Sequence, residues 1–203
     1  MNLYVMDDPR ATDRQNGNGV GLASQRIRGT GEMADRIRHH AWDQTPFGPI
    51  VGWPSELVVA VNLMLSSKLI TCLIWGPERI LLYNDLYRPL LGTKPASLGE
   101  PFLEVWREIR DQASAIISEP MKTGEANLFE RVEFRIVLDG QLVERICTLS
   151  NNPIWVETTD GPKILGLFSR FSISPKRNGR NGSCEKVKRS SPLSTTAAPS
   201  PQP

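Results

Sequence analysis

Apolar and polar positions change period along the chain, and each change predicts an element. In "GEMADRIRHHAW", Met33, Ala34 and Ile37 fall at helical spacing and predict a short amphipathic helix. "TPFGPIVGWP" is a loop full of chain breakers. Pro54 sits where a first helical turn tolerates proline, and a mostly apolar helix follows over Ser55–Ser67. Leu69–Trp75 predicts a buried strand, Gly76-Pro77 a turn and Ile80–Tyr83 a second strand, so the three make a hairpin. Asn84 or Asp85 is placed to cap the next turn, because a short side-chain oxygen accepts free backbone N–H groups. Pro101 opens a longer helix in which Phe102, Val105, Trp106, Ile109, Ala113, Ile116 and Ile117 form one stripe.

The period then drops to two. Val132, Phe134, Ile136 and Leu138 alternate with charged residues, which predicts a half-exposed strand. Asp139-Gly140 is a two-residue hairpin turn. A strand returns through Leu149, Asn151-Asn152 reads as a break, and Pro153–Val156 carries on. "TTDGP" turns the chain again, and Lys163–Phe171 is the last strand. Two strands, helical segments and three strands predict an α+β domain. Its five-stranded antiparallel sheet has helices on one face, and the two N-terminal helical segments cover the other.

Composition sets the limits of that unit. Residues 1–30 carry little apolar material and are expected to be disordered. The Pro/Ser-rich segment 175–203 lacks aromatic residues and is expected to form no packed structure. The foldable unit is therefore 31–174. Residues 30–174 hold 14 Lys/Arg against 18 Asp/Glu, whereas 175–203 holds 6 against 1, so the basic charge belongs largely to the tail. That charge is small and not interleaved with aromatic residues, which argues against specific nucleic-acid binding. The longest apolar run, around Leu57–Leu65, is too short to span a bilayer, and no export signal opens the chain. Three widely spaced cysteines fit no disulfide framework and suit a reducing cytoplasm.

Reactive chemistry is sparse. His39 and His40 are the only histidines, and adjacent histidines on a helix point to different sides, so they make no metal site. A phosphoacceptor histidine would need a neighbouring acid and a long helix after it; Ala41, Trp42 and a Pro-Gly loop follow instead. The Gly17, Gly19, Gly21 series lacks a preceding strand and a following Lys-Ser/Thr, so it is no phosphate loop. Cys72 and Cys147 lie in apolar strands and read as inert core. Glu130 and Glu144 have no evident acid–base partner. No catalytic residue, metal or cofactor is expected.

One dense motif remains. Trp42, Thr45, Pro46, Gly48, Pro49, Trp53 and Pro54 are followed by Trp75, Gly76 and Pro77, then by Tyr83, Asn84, Asp85, Tyr87, Arg88, Pro89, Gly92 and Lys94. Over roughly 31–170 this series resembles the N-terminal PAS module of bacterial sensor histidine kinases. Lys94-Pro95 departs from the family's Lys-His-Pro, and "CTLSNNPIW" departs from its aromatic-rich strand. Family members continue into a long helix and a kinase. This chain continues into "SPKRNGRNGSC", which reads as a truncated or frame-shifted end after about residue 171.

The resemblance implies a cytoplasmic, non-catalytic sensory module of a two-component system. It also implies a cavity between sheet and helices that accepts an unidentified small molecule. Trp75, Tyr83, Tyr87, Phe102 and Trp106 are the candidate pocket residues, and Gly76, Pro77, Asn84 and Asp85 build the surrounding motif. Partners of this reading are a second copy or another PAS or kinase protein. The alternative is a ligand-free PAS interaction module. Asn-Cys-Arg, the flavin-adduct motif of light-sensing relatives, does not occur.

Overall fold

The computed structural model describes residues 26–95 and 97–174. The expected disordered segments therefore lie outside the described residues, apart from 26–30. Those five residues belong to the folded body. Ile27 is fully buried, and the Arg26 guanidinium donates to the carbonyls of Ile50, Val51 and Trp53. Asn62 fixes the same segment by bonding both the Arg26 carbonyl and the Arg28 N–H. These anchors lie on distant residues, so composition near the N-terminus does not reveal them.

Helix α1 spans Glu32–His39 and α2 spans Ser55–Ser66. Strands β1 (Ile70–Trp75) and β2 (Ile80–Tyr83) form the predicted hairpin. Helices α3 (Phe102–Val105) and α4 (Arg110–Thr123) follow, then β3 (Asn127–Leu138), β4 (Gln141–Thr158) and β5 (Gly161–Ser174). The sheet is antiparallel throughout, in the order β2-β1-β5-β4-β3. The N-terminal helices cover one face, with α2 against β1 and β2; α4 packs on the other, against β4 and β5.

Two elements differ from the pattern reading. The long helix is three pieces, because Trp106 (φ −109, ψ 38) and Ile109 (φ −125, ψ 25) leave helical geometry around a 3₁₀ turn. The apolar stripe survives the kinks: Phe102, Trp106, Ala113, Ile116 and Ile117 are all buried. Second, Asn151-Asn152 does not break β4, which runs on through Ile154 before a bulge at Ile154/Trp155. Asn is disfavoured in strands when its side chain lacks a partner, and here both asparagines have one. On β3 a second bulge between Phe129 and Val132 places Arg131 at φ 57.

Candidate functional site

Strand register decides which side chains meet beneath α3 and α4. Side chains alternate across a strand, so Cys72 and Ile74 share a face with their partners Ser169 and Leu167, while Leu73 and Trp75 point to the opposite one. On the first face the helices stand off the sheet and enclose a cavity of about 60 Å³. Tyr87, Leu90, Phe102, Trp106, Ile109, Ala113, Ile116 and Ile117 form its helical wall. Phe134, Ile136, Arg145, Cys147, Leu149, Asn151 and Phe171 form its sheet wall.

Of the five pocket candidates, Tyr87, Phe102 and Trp106 line this cavity. Trp75 does not. It is buried on the far face, where its ring leaves no room for a Cβ at Gly166: the added carbon would stand 2.5 Å away. Tyr83 also stands off the wall, with its ring 5.4 Å from that of Tyr87. The sheet half of the wall was missed. Its signal was the alternation of Cys147, Leu149 and Asn151, hidden by reading the asparagines as a break.

The motif residues work across the fold. Asn84 is buried, and its Oδ1 accepts both the Tyr87 N–H and the Thr71 N–H while its amide donates to the Leu69 carbonyl at 2.8 Å. It caps its own turn, as expected, and also fixes the start of β1. Asp85 instead caps α1: its Oδ1 accepts the Met33 N–H at 2.9 Å. Gly31 lies so close to this carboxylate that a Cβ there would stand 2.1 Å from Oδ2. Gly76 sits at φ 76, outside the range most residues adopt, and donates its N–H to Leu165 at 2.7 Å, tying the hairpin turn beside Pro77 to β5.

A buried polar chain crosses the cavity floor. Trp106 Nε1 donates to the Tyr87 hydroxyl at 2.8 Å, and the Cys72 thiol lies beside both Tyr87 and Ser169. Ser169 Oγ donates to Asn151 Oδ1 at 2.6 Å, and Asn151 Nδ2 donates to Asn127 Oδ1 at 2.9 Å. Asn127 Nδ2 ends the chain on the Ile116 carbonyl at 3.0 Å. That carbonyl is free because its helical partner would be residue 120, a proline without an N–H. Each link satisfies a group that would be costly to bury alone.

Burial keeps the hydroxyl and thiol groups in and beside the cavity neutral. Burial pushes the Cys72 thiol far up and raises the Tyr87 hydroxyl well above its ordinary value. Burial also raises Cys147, offset by the nearby Arg145 charge. A neutral thiol is a poor nucleophile. Beside the cavity, Lys94 Nζ meets Glu108 Oε1 at 2.5 Å and lies 5.0 Å from the Trp106 ring centroid. His39 is exposed, while His40 is half-buried with its ring 4.3 Å from that of Trp42.

No protein-family model and no curated protein matches the chain. Among solved structures, a sensory box sensor histidine kinase from Vibrio cholerae aligns at 16% identity and TM-score 0.38, over 60% of this chain and 90% of that one. The PAS domain of BvgS from Bordetella pertussis aligns at 18% identity and TM-score 0.46, over 61% and 90%. The observed sheet order, with a helical layer on one face and a cavity under short helices on the other, is the five-stranded antiparallel α+β arrangement expected from the sequence.

Proposed function

We propose that the folded unit is a PAS-type sensory and signal-transduction module without catalytic output of its own, resembling the input domain of a two-component sensor histidine kinase. The supporting observation is the cavity: aromatic rings and aliphatic side chains make up most of its wall, and burial raises the Cys147 thiol that lines it. A small molecule held there transmits a signal if it binds one packing of α3 and α4 better than another. The kinked, three-piece helical wall is suited to two packings. The setting of this reading is the cytoplasm; among the described residues no helix is long and apolar enough to cross a membrane. Xenon enters dry apolar cavities, so ¹²⁹Xe NMR on the purified chain tests for usable space, and native mass spectrometry tests for a retained molecule. A xenon resonance shifted by bound state, or an extra retained mass, supports the reading. Exclusion of xenon together with a bare mass overturns it.

The second reading is a docking module, favoured by Val59 and Leu63. These lie one turn apart on α2 and are 66% and 57% exposed. A second copy or another PAS or kinase protein covering this stripe would remove both from water. Light scattering of the wild type and L63E tests it: a dimer that L63E dissociates supports docking, and a monomer at high concentration removes the homodimer form.

A further inference from the structure

The cavity wall is apolar except at a few positions, and one of them is a cation. Arg145 lines the cavity from β4, opposite Phe134 and two residues before Cys147 on the same face. Its side chain is half-buried, and among the described residues it donates to the Glu144 main-chain oxygen at 3.3 Å. Among the described residues no carboxylate forms an ion pair with it. The Glu144 side chain alternates to the other face of β4, within 3.6 Å of Arg135, and Glu108 is held by Lys94. A guanidinium presents paired N–H donors that match a carboxylate. An arginine can lay its aliphatic stem along apolar surface while its charged head stays in water, and Arg145 is half-buried at the cavity wall.

We propose that the cavity takes a small monocarboxylate, with the acid group on Arg145 at the rim and a compact apolar tail between Ile116, Ile117, Leu149 and Phe171. This rests on the reading of the cavity as a ligand site and names the ligand's chemistry. The size is set by the room available: about 60 Å³ accommodates roughly five water-sized positions, a tail of a few carbons. A second charge on the tail would meet no counter-charge among these four residues and would have to shed its water. Dicarboxylates are therefore excluded by the same wall that admits the monoacid.

The test is NMR titration of the full chain with butyrate and with its neutral isostere butyramide, in wild type, R145Q and R145K, with ¹²⁹Xe NMR as a charge-blind control. The expected result is a preference for butyrate of about ten-fold or more in wild type, since charge-assisted bidentate bonds are roughly twice as strong as neutral ones. The preference disappears in R145Q and survives in part in R145K, while xenon still enters all three. Equal binding of the two probes, binding of neither, or an undiminished preference in R145Q overturns the carboxylate assignment. If xenon enters in those cases, the sensory reading stands; if xenon is excluded from the wild type, that reading falls with it. A well-dispersed R145Q spectrum shows that loss of preference is not loss of fold, and R145K supplies the same answer should R145Q unfold.

Discussion

At one end of the sheet, every residue of β2 and all but the first of β1 are buried; at the other, β3 alternates between exposed and covered positions. The first pair is sandwiched between helical layers and reads as continuous apolar runs. The second is covered on one side and reads as alternation, interrupted at the bulge between Phe129 and Val132. The cavity lies toward the second end, over β3 and β4 with Phe171 of β5, because the kinked α3–α4 run covers the sheet there without filling it. Stability is thus concentrated at the β1–β2 end and ligand room at the other.

The sharpest way to break this comparison is to remove one side chain from each end. Trp75→Ala leaves a hole over Gly166 and should cost about 3–5 kcal/mol. Arg135→Ala, on a side chain 74% exposed in β3, should stay within about 0.5 kcal/mol. Urea denaturation measures both, and comparable losses would refute the two-ended picture. Next in size is Asn84→Ala. It orphans the buried N–H of Thr71, while Tyr87 keeps its bond to the main-chain carbonyl of residue 84, and should cost about 1–3 kcal/mol. A loss no larger than that of Arg135→Ala would mean that water replaces the amide and that the motif is dispensable to the hairpin.

How far the sequence reaches can be judged from individual residues. The hairpin, the amphipathic stripe and the alternating strands are local patterns, and all were legible, as was the α+β class. What a strand residue faces depends on register, and register is a property of pairs. Trp75 was placed at the cavity by its neighbourhood in the chain, yet its pairing with Gly166 turns it the other way. Asp85 was assigned to its own turn, but its partner, Met33, is 52 residues away. Asn151 looked like a break because the groups that make it acceptable in a strand, Ser169 and Asn127, lie on other strands.

A finer comparison sets the two walls of the cavity against each other through Pro120 and Asn127. Asn127→Ala leaves the Ile116 carbonyl without its side-chain donor, whereas Pro120→Ala restores the helical N–H that could serve it. In the double variant the new N–H replaces the lost amide, so the two losses should not add. A double-mutant cycle should show a coupling of about 1 kcal/mol in unfolding free energy. Hydrogen exchange of the α4 amides should slow when Pro120→Ala is added to Asn127→Ala. Strict additivity would mean that Asn127 is not what holds α4 to the sheet.

The smallest expected effect belongs to Glu108, which joins the helical wall to β3. Burial alone would push its carboxyl up, but the Lys94 ammonium, its own N–H and the Val137 N–H more than offset this and hold it below its ordinary value of 4.5. A carboxyl depressed by folding contributes stability that is fully present above its unfolded value and is lost as pH falls through the folded one. Wild type should therefore lose more unfolding free energy than Glu108→Gln between about pH 6 and about pH 3, because Gln does not titrate. At neutral pH the substitution should cost at most about 1 kcal/mol, in the range of ion pairs that water still reaches. Because Lys94 also lies near the Trp106 ring, freeing it should change Trp106 fluorescence over the same acid range in wild type and not in the variant. Parallel pH profiles for the two proteins would show that the Lys94–Glu108 pair contributes nothing to how α3 and α4 sit on the sheet.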